Sequence, residues 1–171
     1  AYRRGFFGGC VAMHTNGLIW AAREGMALTW MDCVMNGQPV TPRAGYTVEI
    51  NALWYNAVSY TLALAKKMGD KEFEKEWKAL PAQIKKSFVD MFYLSDEGYL
   101  ADYVDSYGKD TAIRCNQIVA CGLKYTMLDD AQTVNVLMTV RQHLLTPAGL
   151  RSLSPLHPMF ESTYKENPIE Q

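Results

Sequence analysis

The feature that most constrains this chain is a helical period that twice breaks at a tight turn and twice resumes. Between Val48 and Met68, the residues Ile50, Leu53, Trp54, Ala57, Leu64, Ala65 and Met68 fall largely three and four apart, which sets them on one face of a helix. Lys66 and Lys67 lie in the last turn, where positive charge meets the negative helix end. Gly69 suits the left-handed stop that follows. Asp70 is a capping residue for a second helix, Lys71 to about Tyr93, with the stripe Phe73, Trp77, Leu80, Ile84, Phe88 and Met91. Pro81 falls inside that run and is expected to kink it or split it in two. A connection as short as Gly69-Asp70 folds the two helices into an antiparallel hairpin.

The plan then repeats. A third helix is expected from near Asn116 to Met127, and Asp129 can cap a fourth that reaches about Leu145, with Val134, Met138 and Leu144 inward. Thr146-Pro147-Ala148-Gly149 ends it. Between the hairpins, Tyr93 to Val104 reads as two short extended pieces around Ser95-Asp96-Glu97-Gly98. Residues 1–47 read as loops with a few short extended pieces, since Gly5, Gly8, Gly9, Gly17, Gly25, Gly37, Gly45, Pro39 and Pro42 interrupt any period. Phe6, Phe7, Trp20 and Trp30 argue against disorder there, and an ordered irregular stretch of that length is usually functional.

The expected fold class is therefore all-α: αα-hairpins forming part of an α/α toroid, with long loops and minor β excursions. The chain reads as a single incomplete domain, 1–171. Residues 1–47 are active-site loops, 48–93 the first helical hairpin, 94–113 an extended excursion, 114–145 the second hairpin and 146–171 a loop. No fixed-period repeat is present, which disfavours regular solenoids. A closed toroid needs more hairpins than this, so exposed apolar seams are expected, and through them a homo-oligomer of the chain.

Charge and cysteines narrow the function. The net charge is −1 with no basic patch, which argues against nucleic acid and against electrostatic attachment to a membrane. No apolar run reaches the length of a membrane span. Ala1-Tyr2-Arg3-Arg4-Gly5-Phe6-Phe7 lacks the core and cleavage site of a signal peptide, and the absence of an initiator methionine leads us to expect a start inside a longer protein. Cys10, Cys33, Cys115 and Cys121 form no C-x-x-C pair and have no histidine at ligand spacing. No metal or cofactor is expected, and free thiols fit a reducing cytoplasm.

Four clusters carry candidate chemistry. In Leu28-Thr29-Trp30-Met31-Asp32 a carboxyl follows Trp and Met on a glycine-bounded loop. If those side chains strip water from Asp32, its pKa rises and it can act as a proton donor; otherwise it caps a turn. The second cluster joins Arg43 to Glu49, Asn51 and Trp54, with Tyr55 and Asn56 beside them. Its polar groups suit sugar hydroxyls and Trp54 a sugar ring, while helix-dipole chemistry and core packing explain Glu49 and Trp54 more simply. The third is Arg114-Cys115-Asn116-Gln117 at a helix start, where Asn116 is either an N-cap or a ligand and Arg114 an anchor for a hydroxyl or a carboxylate. The fourth places Arg151 beside Ser152 and Ser154 on a loop, either structural or lining a subsite. His14, His143 and His157 are isolated, and no nucleophile elbow, phosphate loop or dinucleotide fingerprint occurs.

Taken in order, several segments resemble the amylo-α-1,6-glucosidase domain of glycogen debranching enzymes. They are Gly17-Leu18-Ile19-Trp20-Ala21, Leu28 to Asp32, Val40-Thr41-Pro42-Arg43, Val48 to Ala57, Gly98-Tyr99-Leu100 with Val104-Asp105, Arg114 to Gln117, and Leu144 through Pro155. The resemblance implies an (α/α)6 barrel and inverting hydrolysis of an α-1,6-linked glucose in glycogen or a limit dextrin, with Asp32 as general acid and no cofactor. It implies substrate contacts from Trp30, Arg43, Glu49, Asn51, Trp54, Arg114, Asn116, Gln117 and Arg151. Inversion requires a second carboxylate about 6.5–9.5 Å from the acid. Glu161, Glu166 and Glu170 do not match the family's base, which is expected beyond Gln171, so residues 1–171 alone are expected to be inactive. The family often has Asp where His14 stands and Pro where Cys115 stands. A glucoamylase-type toroid hydrolase and a non-catalytic helical glucan-binding or interaction module are the alternatives.

Overall fold

The computed structural model describes residues 8–163. The segment 1–7 and residues 164–171, with Glu166 and Glu170, lie outside the described residues. Among the described residues there are five α-helices: α1 Val48–Met68, α2 Lys71–Trp77, α3 Leu80–Phe92, α4 Ile118–Gly122 and α5 Asp130–His143. α1 ends at Gly69, in the left-handed conformation at φ 76°, and the N–H of Asp70 closes onto the Ala65 carbonyl at 2.9 Å. Asp70 caps α2 by accepting from the Phe73 N–H at 3.0 Å. Pro81 divides the run that follows, because it lacks an N–H and fits only a first turn, and it sits in the first turn of α3. α5 opens with a reciprocal capping box between Asp129 and Gln132, both bonds being formed.

The all-α expectation is corrected. Among the described residues, eleven short strands form five small antiparallel sheets beside the helices. β1 (Val11–Met13) pairs β2 (Ile19–Ala21), and β3 (Val34–Met35) pairs β4 (Gln38–Pro39). β5 (Tyr46–Thr47), β8 (Tyr103–Val104) and β9 (Lys109–Asp110) make the one three-stranded sheet, in that order. β6 (Tyr93–Leu94) pairs β7 (Tyr99–Leu100), and β10 (Leu145–Thr146) pairs β11 (Gly149–Leu150). The cause is the turn chemistry that breaks the helices. Asn36 and Gly37, at φ 50° and 77°, form a two-residue hairpin turn of the kind whose twist matches the flanking strands. The strand residues meet by such returns, and their backbone groups pair instead of remaining unsatisfied.

α1 is the organising helix, packing on α2, α3 and α4, while α4 packs on α5. The core gathers Leu18, Val48, Ile84, Phe88, Phe92, Leu100, Val136 and Leu144, all inaccessible to solvent, with Phe88 and Phe92 rings 4.7 Å apart. Two helix faces differ from the periodicity. α1 buries Val48, Glu49, Asn51, Ala52, Val58 and Ala65 and leaves Leu53, Leu64 and Met68 exposed. α5 buries Val136 and Val140, with Leu144 just past its end, while Val134 and Met138 are exposed. The helix expected over Asn116–Met127 is a 3-10 turn at Cys115–Gln117 followed by the five residues of α4, which ends where Leu123 turns extended.

Gly45 is required where the first loops meet the three-stranded sheet. It exchanges backbone bonds with Ala21 at 2.7 and 3.0 Å, and a Cβ on it would overlap the Val104 carbonyl. Arg43, two residues earlier, reaches Asp102 just before β8.

Candidate active site

Arg43 lies at the centre of a buried ionic network. Its Nη1 and Nη2 donate to the two Glu49 oxygens at 2.6 and 2.7 Å. Its Nε donates to Asp102 Oδ2 at 2.7 Å and Nη2 reaches Oδ1 at 3.1 Å. The remaining Nη1 donor reaches Thr29 Oγ1 at 3.3 Å, so every face of the guanidinium is used. Arg43, Glu49 and Asp102 are 5%, 2% and 2% exposed. Glu49 comes from the first turn of α1, Asp102 from the residue before β8, and Arg43 from the loop before β5.

The network continues outward. Asn116 Nδ2 donates to Asp102 Oδ1 at 2.7 Å, and Asn116 Oδ1 accepts from the indole N–H of Trp30 at 2.9 Å. The same Nδ2 lies 3.4 Å from Met31 Sδ. Arg114 Nε stands 3.6 Å from Asp102 Oδ2, with its side chain 15% exposed. Two guanidinium groups and two carboxylates thus neutralise one another, which is the condition for burying charge at tolerable cost. Burial alone would lower the Arg43 pKa, but the Glu49 bond and the fields of Asp102 and Glu49 outweigh it and hold it above the ordinary value. Burial pushes the Asp102 carboxyl up, against the opposing Arg43 charge and the Asn116 bond. The neighbours of its two oxygens are donors, which favour the charged form against that burial.

The structure thus joins Trp30, Arg43, Glu49, Arg114 and Asn116 into one connected set. Asp32 follows two residues after Trp30 and is exposed, as is Trp30, with 59% of its surface open. Trp30 and Met31 turn towards Asn116. Arg151 is exposed just past β11, two residues before Leu153, which pairs with Arg114 in an isolated bridge. Three candidates face the protein itself. Asn51 is wholly buried and fastens β2 to α1, bonding the N–H and C=O of Ile19 at 2.7 and 3.1 Å and the Thr47 carbonyl at 2.9 Å. Trp54 donates its indole N–H to the Gly17 carbonyl at 3.0 Å. Gln117 ties Leu100 N to the Arg114 carbonyl, at 3.3 and 3.1 Å.

Asp102 is the residue that sequence reasoning missed. It stands in no local motif, and the partner that gives it a role, Arg43, is 59 residues away in sequence. Elsewhere, a groove of about 400 Å³ runs between β1, β2 and α1, lined by Val11, Ile19, Leu28, Ile50, Leu53 and Trp54 among others. Those side chains offer no hydrogen-bonding group except the Trp54 indole, already given to Gly17, so they cannot read sugar hydroxyls. Among the described residues, no group of three or more His, Cys, Asp and Glu is placed to hold a metal, and no helix is long and apolar enough to cross a membrane.

A family model described as amylo-alpha-1,6-glucosidase matches residues 2–171, and the chain belongs to that family, a glycosidase-type enzyme domain. A search of curated proteins returns no match.

Proposed function

We propose that this chain supplies the general acid of an enzyme that hydrolyses α-1,6-linked glucose at the branch points of a glycogen-type α-glucan, and that Asp32 is that acid. Beyond family membership, the observation that carries the reading is the anchored segment Trp30–Asp32. An indole 59% exposed is pinned by its N–H to Asn116, two residues before an exposed carboxyl. A sugar ring stacked on that indole brings its glycosidic oxygen towards Asp32. There the carboxyl would donate its proton to the leaving oxygen. Arg114, the network cation nearest the surface, is proposed to bond a sugar hydroxyl, with Arg151 as an outer contact.

Inversion needs a base some 6.5–9.5 Å from the acid, free to activate water. Glu49 and Asp102 are buried and held by Arg43, so neither suits that role. The base is proposed to come from beyond Gln171, and residues 1–171 alone are then inactive. Cys33, Cys115 and Cys121 are free thiols, which supports a reducing compartment such as the cytoplasm.

The test is glucose release from a singly branched limit dextrin by the full-length protein and by Asp32→Asn. Loss of proton donation lowers kcat by about 10²–10⁴-fold. An unchanged kcat would move the acid elsewhere. The exposure of Asp32 favours one second reading, a glucan-binding module without catalysis. Full-length protein that binds the glucan but releases no glucose would establish it.

A further inference from the structure

We infer that Asp102 is a positioning residue, which through Asn116 holds the Trp30–Asp32 segment in the arrangement the proposed acid needs. The inference rests on the function proposed for Asp32, but its geometry stands apart from it. An indole N–H can only donate, and an ionised carboxylate can only accept. They cannot bond one another, and the Asn116 amide adapts one to the other, with Oδ1 towards Trp30 at 2.9 Å and Nδ2 towards Asp102 at 2.7 Å. The orientation of the amide is dictated by what lies at each end. Nδ2 also reaches Met31 Sδ at 3.4 Å, so one side chain holds two consecutive residues just ahead of Asp32.

The far end of this relay is immobile. The Asp102 N–H donates to the Asp110 carbonyl at 2.9 Å, and its own carbonyl accepts from Val48 N at 3.0 Å and from Arg43 Nη2 at 3.2 Å. Its carboxylate accepts from Arg43 Nε at 2.7 Å. A third hold is Thr29, whose hydroxyl oxygen meets both Arg43 Nη1 and the Met31 N–H at 3.3 Å. Asp102 and Asn116 are 2% and 1% exposed, so neither touches substrate. They set where Trp30 stands, and thereby where the chain delivers Asp32.

Asp102→Asn reverses the relay without changing its shape. A single amide oxygen cannot serve both Arg43 Nε and Asn116 Nδ2. If Arg43 keeps it, the new NH2 faces the Asn116 NH2, Asn116 flips, and a donor is presented to the indole N–H. The experiment uses the full-length protein. It measures hydrogen exchange at the Trp30 indole N–H, identified by its absence in Trp30→Phe, together with kcat and KM on the branched dextrin. In folded Asp102→Asn the indole N–H exchanges at least about tenfold faster, as one hydrogen bond is lost. A misplaced acid segment lowers kcat on the order of 10²-fold, and adding Trp30→Phe lowers it no further, because both act through one line of contacts. A purely structural role would change the unfolding midpoint while leaving indole exchange and kcat of the folded molecules as in the parent protein. That result overturns the inference. Should Asp102→Asn not fold, Asn116→Ala decides, since it leaves the Arg43–Asp102 pair in place. An indole still protected there sinks the relay, and a freed one supports it. If the full-length protein releases no glucose, the activity reading falls alone and indole exchange still tests the relay.

Discussion

Replacing Arg43 by Met removes the one cation that touches both buried carboxylates while keeping an unbranched side chain of similar reach. In the parent, Glu49 and Asp102 side chains are 2% and 1% exposed and lie 2.6 and 2.7 Å from the guanidinium. Without it, Glu49 has no counter-charge and Asp102 keeps only Arg114, whose Nε is 3.6 Å away. Breaking a buried ion pair by deleting one partner costs about 3–5 kcal/mol. Two stranded acids in one site set the expected loss near the upper end, about 4–5 kcal/mol at pH 7. With a urea slope of about 2 kcal/mol per molar, the midpoint falls by about 2 M. The sign of the pH dependence follows from the same cause. Burial already pushes the Asp102 carboxyl up, and loss of the opposing Arg43 charge pushes it further, so on acidification the folded variant takes up a proton before the unfolded chain does. The deficit therefore narrows as pH falls from 7 to 5. Adding Glu49→Gln and Asp102→Asn to Arg43→Met removes the charges and restores at least half the loss. Equilibrium urea unfolding followed by circular dichroism reads all of this. A midpoint shift under about 0.5 M, or a deficit equal at pH 7 and pH 5, would refute the electrostatic argument and reduce Arg43 to packing.

Further predictions concern other parts of the fold. Gly45→Ala places a methyl against the Val104 carbonyl at φ 112° and should cost about 3 kcal/mol or more in thermal unfolding. Gly37→Ala, at φ 77° with open space around it, should cost only about 1–2 kcal/mol. Burial pushes the Cys121 thiol up to about 11 and also raises Cys115, Tyr99 and Tyr103. Because the unfolded chain then loses these protons first, stability falls as pH rises above about 9. At pH 8 a thiol reagent should label the exposed Cys33 well before Cys121, by mass spectrometry of the native protein.

The helix starts and stops were legible wherever a capping residue or a glycine writes them. Gly69, Asp70, Pro81 and Asp129 all act at the positions their chemistry suggests. The faces were less legible, for a physical reason. α1 carries apolar residues on two sides, and periodicity alone cannot say which side meets the core. The structure selects the side holding Glu49 and Asn51, two polar residues that the pattern assigns outward, because Arg43 and the backbone of Ile19 satisfy them inside. Short extended pieces were legible around Ser95-Asp96-Glu97-Gly98, where β6 and β7 pair, but the number and pairing of the strands were not, since most are two residues long and alternation needs about four. The site divides in the same way. Trp30, Glu49, Arg114 and Asn116 stood in conspicuous local motifs. Asp102 did not, and only its distance in space from Arg43 reveals it.

The buried network also accounts for how so irregular a region is held in place. Apolar side chains of the same volume often replace buried ion pairs with no loss of stability, so charge here is not needed for stability alone. What apolar groups cannot supply is direction. Residues 22–33 form no strand or helix, and their backbone donors and acceptors gain little from ladders. Thr29, Trp30 and Met31 are instead held by side-chain bonds that lead to Arg43 and Asn116. Each member of the set creates the need for the next. Trp30 requires an acceptor, the amide that provides it requires an acceptor in turn, the carboxylate that answers requires a cation, and the cation requires a second acid. The chain of requirements ends at Glu49, in the first turn of the longest helix, so the loop bearing Asp32 is referenced to the most rigid element of the fold.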